Sequence, residues 1–394
     1  MFFVAACTLT STALAAVTTD ATDSASPSAT SSSAPALNTT TGGDTTASSG
    51  TFTFKDKYPA AGSVPVPKPE WVAALDQNAI AKAPVYSANG DAGPKQEGKD
   101  DTWCDWTFTL CTRPTDIVAC PKGQWGLTYD DGPTQFSPKL YDYLDSINQK
   151  ATLFMIGGQV LQYPDLVLRA FKAGHELAIH TFSHSYLTTQ STESIVGELK
   201  WTEQAIFEVT GVHPKLFRPP YGDIDDRVRD IAKQLGFTPV IWNHDTDDWM
   251  LGEDKSFQAG WIDANVTAWA NEAATASDGG ISLEHDLYQG TVDAAIRVLP
   301  ILKKSYDVKP VGACSGWTSV YKEATNVNAS ASASSVAPSS SSTQQQQQSA
   351  SSNGGASASA AAAGAGESHA SAANKQIVGT ALSGLIVLAA AALF

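Results

Sequence analysis

From Gln124 onward the chain alternates short apolar runs with longer amphipathic ones, and this alternation narrows the possible folds more than any other feature. Residues 125–129 form a strand-like run, and a helical pattern over 137–149 follows, with Ser137 as its cap and Pro138 in its first turn. The run 151–156 precedes a helix that starts at Pro164 and stops at Gly174, a residue that takes the left-handed position past a helix end. The run 177–180 leads to a helix over 191–210 ended by Gly211, and Leu216–Phe217 to a helix over 225–235 ended by Gly236. The runs 238–242 and 281–283 precede helices over 258–276 and 291–306, and 309–313 reads as the last strand. Repeated β-then-α units require parallel strands joined by helical crossovers. Seven or so units suit a closed barrel better than an open doubly wound sheet. No Gly-rich dinucleotide fingerprint and no P-loop follow the first run, which removes the usual ligands of open sheets.

Polar clusters recur directly after the strand-like runs. They are Thr128-Tyr129-Asp130-Asp131-Gly132-Pro133, His180-Thr181-Phe182-Ser183-His184, Arg218-Pro219-Pro220-Tyr221-Gly222, Asp245-Thr246-Asp247-Asp248-Trp249, and His285 after Leu283. In a β/α barrel such positions converge on the face at the C-terminal strand ends, where active sites sit. Taken singly, each has a bland explanation. Asp-Asp-Gly-Pro makes a turn, H-x-x-x-H is a weak metal signal, Arg-Pro-Pro-Tyr can be a rigid connector, and Trp249 a core or rim aromatic. His175 and His244 read as structural and His213 as a surface residue. The joint occurrence in register decides against the bland set. Adjacent Asp130 and Asp131 are costly unless a cation or a fixed proton separates their roles. His180, His184 and one carboxylate make a three-ligand set with room for water, the pattern of hydrolytic zinc sites. The second carboxylate can then take a proton, another His can protonate a leaving amine, and Arg218 can pair with the carboxylate.

Composition places the chain outside the cytosol and away from nucleic acid. A formal net charge of -15 and a pI near 4.8 repel a polyphosphate. Apart from Cys7 in the apparent leader, the cysteines form an even set, Cys104, Cys111, Cys120 and Cys314, without C-x-x-C pairs. That favours disulfides over a zinc knuckle and leaves three connectivities open. Sequons at Asn38, Asn265 and Asn328 fit a secreted glycoprotein. Residues 1–15 read as a signal peptide, though without a basic start, and 16–57 as a Ser/Thr-rich disordered segment. Residues 58–117 form an N-terminal extension, 118–321 the catalytic domain, and 322–376 a Ser/Ala/Gln-rich stalk. The small residues at Gly364, the polar spacer and the apolar tail 377–394 match a glycosylphosphatidylinositol (GPI) attachment signal, with a tail-anchored helix as the alternative.

The five clusters, in this order, resemble the signature motifs of polysaccharide deacetylases that share the NodB-homology domain. The flanks resemble the fungal chitin deacetylase branch: the Cys-rich run 103–121, PPYGDIDDRVR over 219–229, and Leu283-Glu284-His285-Asp286. The Ser-rich tail is similar to that of GPI-anchored, wall-associated basidiomycete members. The resemblance implies an α/β fold, a distorted (β/α) barrel of about seven to eight units. It implies Asp130 as general base, Arg218 as its orienting partner, and Asp131, His180 and His184 as ligands of Zn2+, or of Co2+ or another divalent ion. It implies His285 as general acid tuned by Asp245, with Asp248 as the other candidate. The backbone N–H of Tyr221 would face the oxyanion, and Trp249 and Leu283 would shape the acetyl pocket. It also implies the pairs Cys120–Cys314 and Cys104–Cys111, and Tyr129 stands where Phe is commoner. The expected partner is chitin, acted on by a monomer attached to the plasma membrane and cell wall. Other acetylated polymers (peptidoglycan, acetylxylan) and a non-catalytic glycan-binding wall protein are the rivals.

Overall fold

The structure is a computed structural model and describes residues 52–89, 93–96 and 100–323. The leader, Asn38, Asn328, Gly364, nearly all of the stalk and the apolar tail lie outside the described residues. Helices α1 (Pro69–Ala73) and α2 (Trp106–Thr109) belong to the extension. The alternating part begins with β1 (Gln124–Gly126), β2 (Thr128–Asp130), α3 (Ser137–Ser146), β3 (Thr152–Met155), α4 (Gly157–Gln162) and α5 (Pro164–Lys172). It continues with β4 (Glu176–Ile179), α6 (Thr192–Thr210), β5 (Leu216–Phe217), α7 (Asp226–Gln234), β6 (Thr238–Pro239) and β7 (His244–Asp245). It ends with α8 (Met250–Glu253), α9 (Ala259–Glu272), β8 (Gly280–Leu283), α10 (Gln289–Ser305), β9 (Asp307–Lys309) and α11 (Val311–Cys314).

Every pairing of these strands is parallel. The orders are β7-β8-β1-β9 and β2-β3-β4-β5-β6. The two sheets make one ring, because β1 runs into β2 and β6 runs toward β7 along continuous stretches of chain. A bridge between Asp130 and His285 also sets the end of β2 beside the end of β8. The break at Leu127 has a local cause. Its N–H donates to Lys309 of β9, while its carbonyl accepts from Thr152 of β3, so the neighbouring strand changes at that residue. Counting β1 with β2 and β6 with β7 gives the α/β barrel of seven strand positions that the alternation implied. Leu127, Ile179, Phe217, Val240 and Ile281 are fully buried in the main core. Trp125, Ile262, Val266, Val298 and Leu302 form a second cluster that seats α9 and α10.

Capping explains the ends of α6 and α7. Ser191 accepts from Ser194 N–H at the start of α6, Asp225 does the same for Val228 in α7, and Gly211 and Gly236 are left-handed. Two expectations change, and one helix was not foreseen. Ser137 is not a cap: its Oγ accepts from Thr134 N–H and donates to the Asp286 carboxylate, so it ties two loops together. The expected strand over 309–313 ends at Lys309, because the next N–H groups start α11 and are taken by side chains. Val311 N–H donates to Thr152, and Gly312 and Ala313 N–H donate to the Glu176 carboxylate. Helix α4 was not legible, since it opens on two glycines.

Both disulfides, Cys104–Cys111 and Cys120–Cys314, are formed. Along α6 the extension sets Tyr58 and Trp71 against Trp201, and Trp201 Nε1 donates to the Val66 carbonyl. Asn265 lies partly exposed in the middle of α9. Among the described residues no helix is long and apolar enough to cross a membrane.

Candidate active site

The chemistry gathers at the C-terminal strand ends. Asp130 closes β2 and is 1% exposed. Its Oδ1 accepts from Arg218 Nη1 at 2.8 Å, and the same nitrogen donates to Thr128 Oγ1 at 2.8 Å. Arg218 is itself 0% exposed, with its guanidinium over the rings of Phe154 (4.3 Å) and Trp242 (5.6 Å). A buried charge of this kind holds its place only with a partner and further hydrogen bonds, and Asp130, Thr128 and the Val240 carbonyl provide them.

Next to this pair, Asp131, His180 and His184 bring one donor atom each within 4.8 Å of one another. Asp131 Oδ1 lies 3.4 Å from His180 Nε2 and 3.2 Å from His184 Nε2, yet it is buried without a hydrogen-bond partner. His180 Nδ1 is 2.8 Å from the Arg218 carbonyl, which can only accept, so Nε2 keeps its lone pair toward Asp131. Burial alone would raise the Asp131 carboxyl, but the His184 charge and the closeness of both imidazoles hold it well below the usual carboxylate range. Ligands about 2.1 Å from one ion stand roughly 3–3.5 Å apart. The three donors, one of them the orphaned oxygen, therefore fit a divalent cation.

Unusual backbone supports the same spot. Asp131, Thr181, His184, Tyr221 and Asp247 all have positive φ, although none is glycine. Such residues persist only where their surroundings over-determine them. Glu198 of α6 does this for the histidine loop: its buried carboxylate accepts from Phe182 N–H, Ser183 N–H and Ser183 Oγ. Asp286 does it for the Asp130–Asp131 loop, where a Cβ at Gly132 would collide with its carboxylate. Glu198 did not stand out in the sequence, since nothing marks an acid inside a helical pattern as a support, and Asp286 was noted only within Leu283-Glu284-His285-Asp286, without a role.

His285 follows β8 and is 8% exposed. Its Nδ1 is 2.6 Å from Asp248 Oδ1, and its N–H donates to Asp248 Oδ2 at 2.9 Å. Burial opposes its charged form, but the Asp248 charge and hydrogen bond outweigh it and push the imidazole up to about 10. The expected pairing with Asp245 is thereby corrected. Asp245 lies in β7, where its Oδ1 accepts from Asp247 N–H, and burial and Asp247 raise it to about 6. The turn carries Asp248, three residues on, toward His285. Leu283 is buried and Trp249 partly exposed beside α8. Tyr221 is 48% exposed, with its ring stacked on Tyr186 at 4.0 Å and 4.7 Å from the His184 ring.

The other histidines among the described residues stand apart from this centre. His175 Nδ1 accepts from Ala151 N–H, and His244 lies between Trp125 and Trp269; burial lowers both to about 4. His213 is partly exposed, stacked on Phe207 and paired with Glu323.

Fold and site together define a parallel α/β-barrel protein with a buried Asp–Arg pair, a cation-binding triad and an Asp–His pair at one strand end. The model of the polysaccharide deacetylase family matches residues 118–240. The chain is 42% identical over 262 residues to chitin deacetylase 1 of Cryptococcus neoformans var. grubii, covering 63% of this chain and 55% of that protein. It is 40% identical over 234 residues to the chitin deacetylase of Amylomyces rouxii, covering 57% and 55%. It is 39% identical over 222 residues to chitin deacetylase 2 of Saccharomyces cerevisiae, covering 56% and 67%. The chain belongs to the polysaccharide deacetylase family. It spans 55% of the length of the Cryptococcus and Amylomyces relatives.

Proposed function

We propose that this protein hydrolyses the N-acetyl group of N-acetylglucosamine units in chitin, releasing acetate and leaving glucosamine. The observation that carries the reading is the meeting of Asp130–Arg218, the Asp131/His180/His184 triad and Asp248–His285 in one place. The relatives named as chitin deacetylases support the choice of polymer. A divalent ion held by Asp131, His180 and His184, zinc or cobalt in our reading, supplies Lewis acidity that acidifies water and polarises a carbonyl. Asp130, fixed through Oδ1 by Arg218, accepts the proton of the attacking water at Oδ2. The Tyr221 N–H faces the developing oxyanion, and Trp249 and Leu283 bound the acetyl group. His285, held at Nδ1 by Asp248, gives a proton from Nε2 to the departing nitrogen as the C–N bond breaks. Secretion, N-glycosylation at the sequons, a GPI anchor at Gly364 and a monomeric state complete the proposal. Secretion, glycosylation and the anchor are supported by the leader-like start, the sequons, the cysteine pairs and the apolar tail.

Acetate release from chitin oligomers of increasing length, with and without chelator, tests this. Release that stops with chelator and returns with zinc or cobalt is expected. Faster release from acetylxylan or peptidoglycan would move the substrate, and no release from any polymer would leave a glycan-binding protein.

A further inference from the structure

We infer that the Cys104–Cys111 loop of the extension is part of the catalytic apparatus, with Trp106 as the residue that positions Tyr221 and Arg218. The inference rests on the deacetylase reading. The loop lies upstream of residues 118–240, the span matched by the family model. Its helix α2 has only four residues, too few to hold a helical shape unaided. The disulfide closes it, and the buried Arg229 of α7 donates to the carbonyls of Cys104 (2.6 Å) and Cys111 (3.1 Å).

So anchored, the loop grips the stretch that carries Tyr221. Trp106 N–H donates to the Ile224 carbonyl at 3.0 Å, and Thr107 Oγ1 donates to Asp223 Oδ1 at 2.8 Å. Between these bonds the Trp106 ring lies flush on Gly222, where any Cβ would overlap it. Gly222 and Tyr221 are successive left-handed residues, with φ of 72° and 59°. For tyrosine that conformation is unfavourable, so the loop keeps it only against a rigid floor, and the indole is that floor. The same ring meets Trp242 at 4.8 Å, and Trp242 lies against Arg218, the partner of Asp130. One side chain from outside the barrel thus touches the backbone beside the oxyanion donor and the stack behind the general base.

A displacement of about 1 Å in such groups costs on the order of a hundredfold in rate. Trp106→Ala should therefore lower kcat for acetate release from a chitin oligomer about a hundredfold, with KM changed less than about threefold. Metal content and far-ultraviolet circular dichroism should stay those of the wild type, and Trp106→Phe should recover most of kcat. A kcat for Trp106→Ala within about threefold of wild type would overturn the role, as would a loss confined to KM or matched by lost metal. If that variant does not fold, the Cys104→Ser/Cys111→Ser double variant loosens the loop while keeping the indole. It should lose about tenfold in kcat, and an unchanged kcat would overturn the role. Acetate release by the wild type separates the two readings. Its absence refutes the deacetylase assignment and this role with it, whereas an active wild type with undiminished variants refutes the role alone.

Discussion

The two ends of the barrel are both buried and polar, but they differ in how completely their groups are paired. At the N-terminal strand ends the Glu176 carboxylate accepts from Thr152 Oγ1, Gly312 N–H and Ala313 N–H, and the Tyr321 hydroxyl accepts from Leu177 N–H. Cys120–Cys314 fastens the same end covalently. At the C-terminal strand ends Asp131 Oδ1 has no hydrogen-bond partner, and five non-glycine residues with positive φ surround the site. One end pairs these carboxylate and hydroxyl groups within the protein, although His175 Nε2 there has no hydrogen-bond partner. The other keeps donors and acceptors for an ion and a substrate, and depends on Glu198, Asp286 and Trp106 for its shape. In this fold function sits at one end and stability at the other, and here the difference can be read in individual hydrogen bonds.

The largest test of that contrast is Asp130→Asn. It should reduce kcat about a thousandfold or more while the protein still binds its metal. Acetate kinetics with metal analysis checks this, and substantial residual turnover would remove Asp130 as the base. At the opposite end, Cys120→Ser/Cys314→Ser should cost roughly 2–5 kcal/mol of stability, because the pair closes a very long loop. Thermal melting reads that loss, while kcat at 25 °C should stay within about twofold of wild type. A large fall in kcat without a melting shift would erase the division between the ends.

The smallest effect expected is that of Asp248→Asn. His285 is raised from 6.5 to about 10, so its charged form is bound more strongly in the folded protein than in the unfolded chain. That contribution to stability is fully present below about pH 6.5 and is lost as pH rises through about 10. Losing the carboxylate charge should bring the alkaline limb of kcat/KM down by about one to three pH units, with a tenfold to hundredfold loss at neutral pH. An unmoved alkaline limb would show that Asp248 does not tune the acid.

The sequence made the barrel legible because strand-like runs and glycine stops repeated at helix-crossover spacing, and Gly211 and Gly236 act as their chemistry implied. It also placed Asp130, Asp131, His180, His184, Arg218 and His285 together, since all follow strand runs. It set Asp245 ahead of Asp248 as the partner of His285, whereas a tight turn decides which of several nearby carboxylates points inward. The last strand was misread because 310–313 is apolar, yet its N–H groups belong to Thr152 and Glu176, far away in sequence. Trp106 was invisible for the same reason: its partners, Gly222 and Trp242, are brought to it only by the folded chain.

The Cys120–Cys314 link has a consequence under proteolysis. It joins the chain just before the first strand to the chain just after the last, so nearly the whole series of β/α units lies inside one covalent loop. A protease that cuts an exposed crossover loop would leave two fragments still tied together. On a non-reducing gel they run as one band and separate only when the disulfide is reduced, so a nicked molecule can stay in one piece.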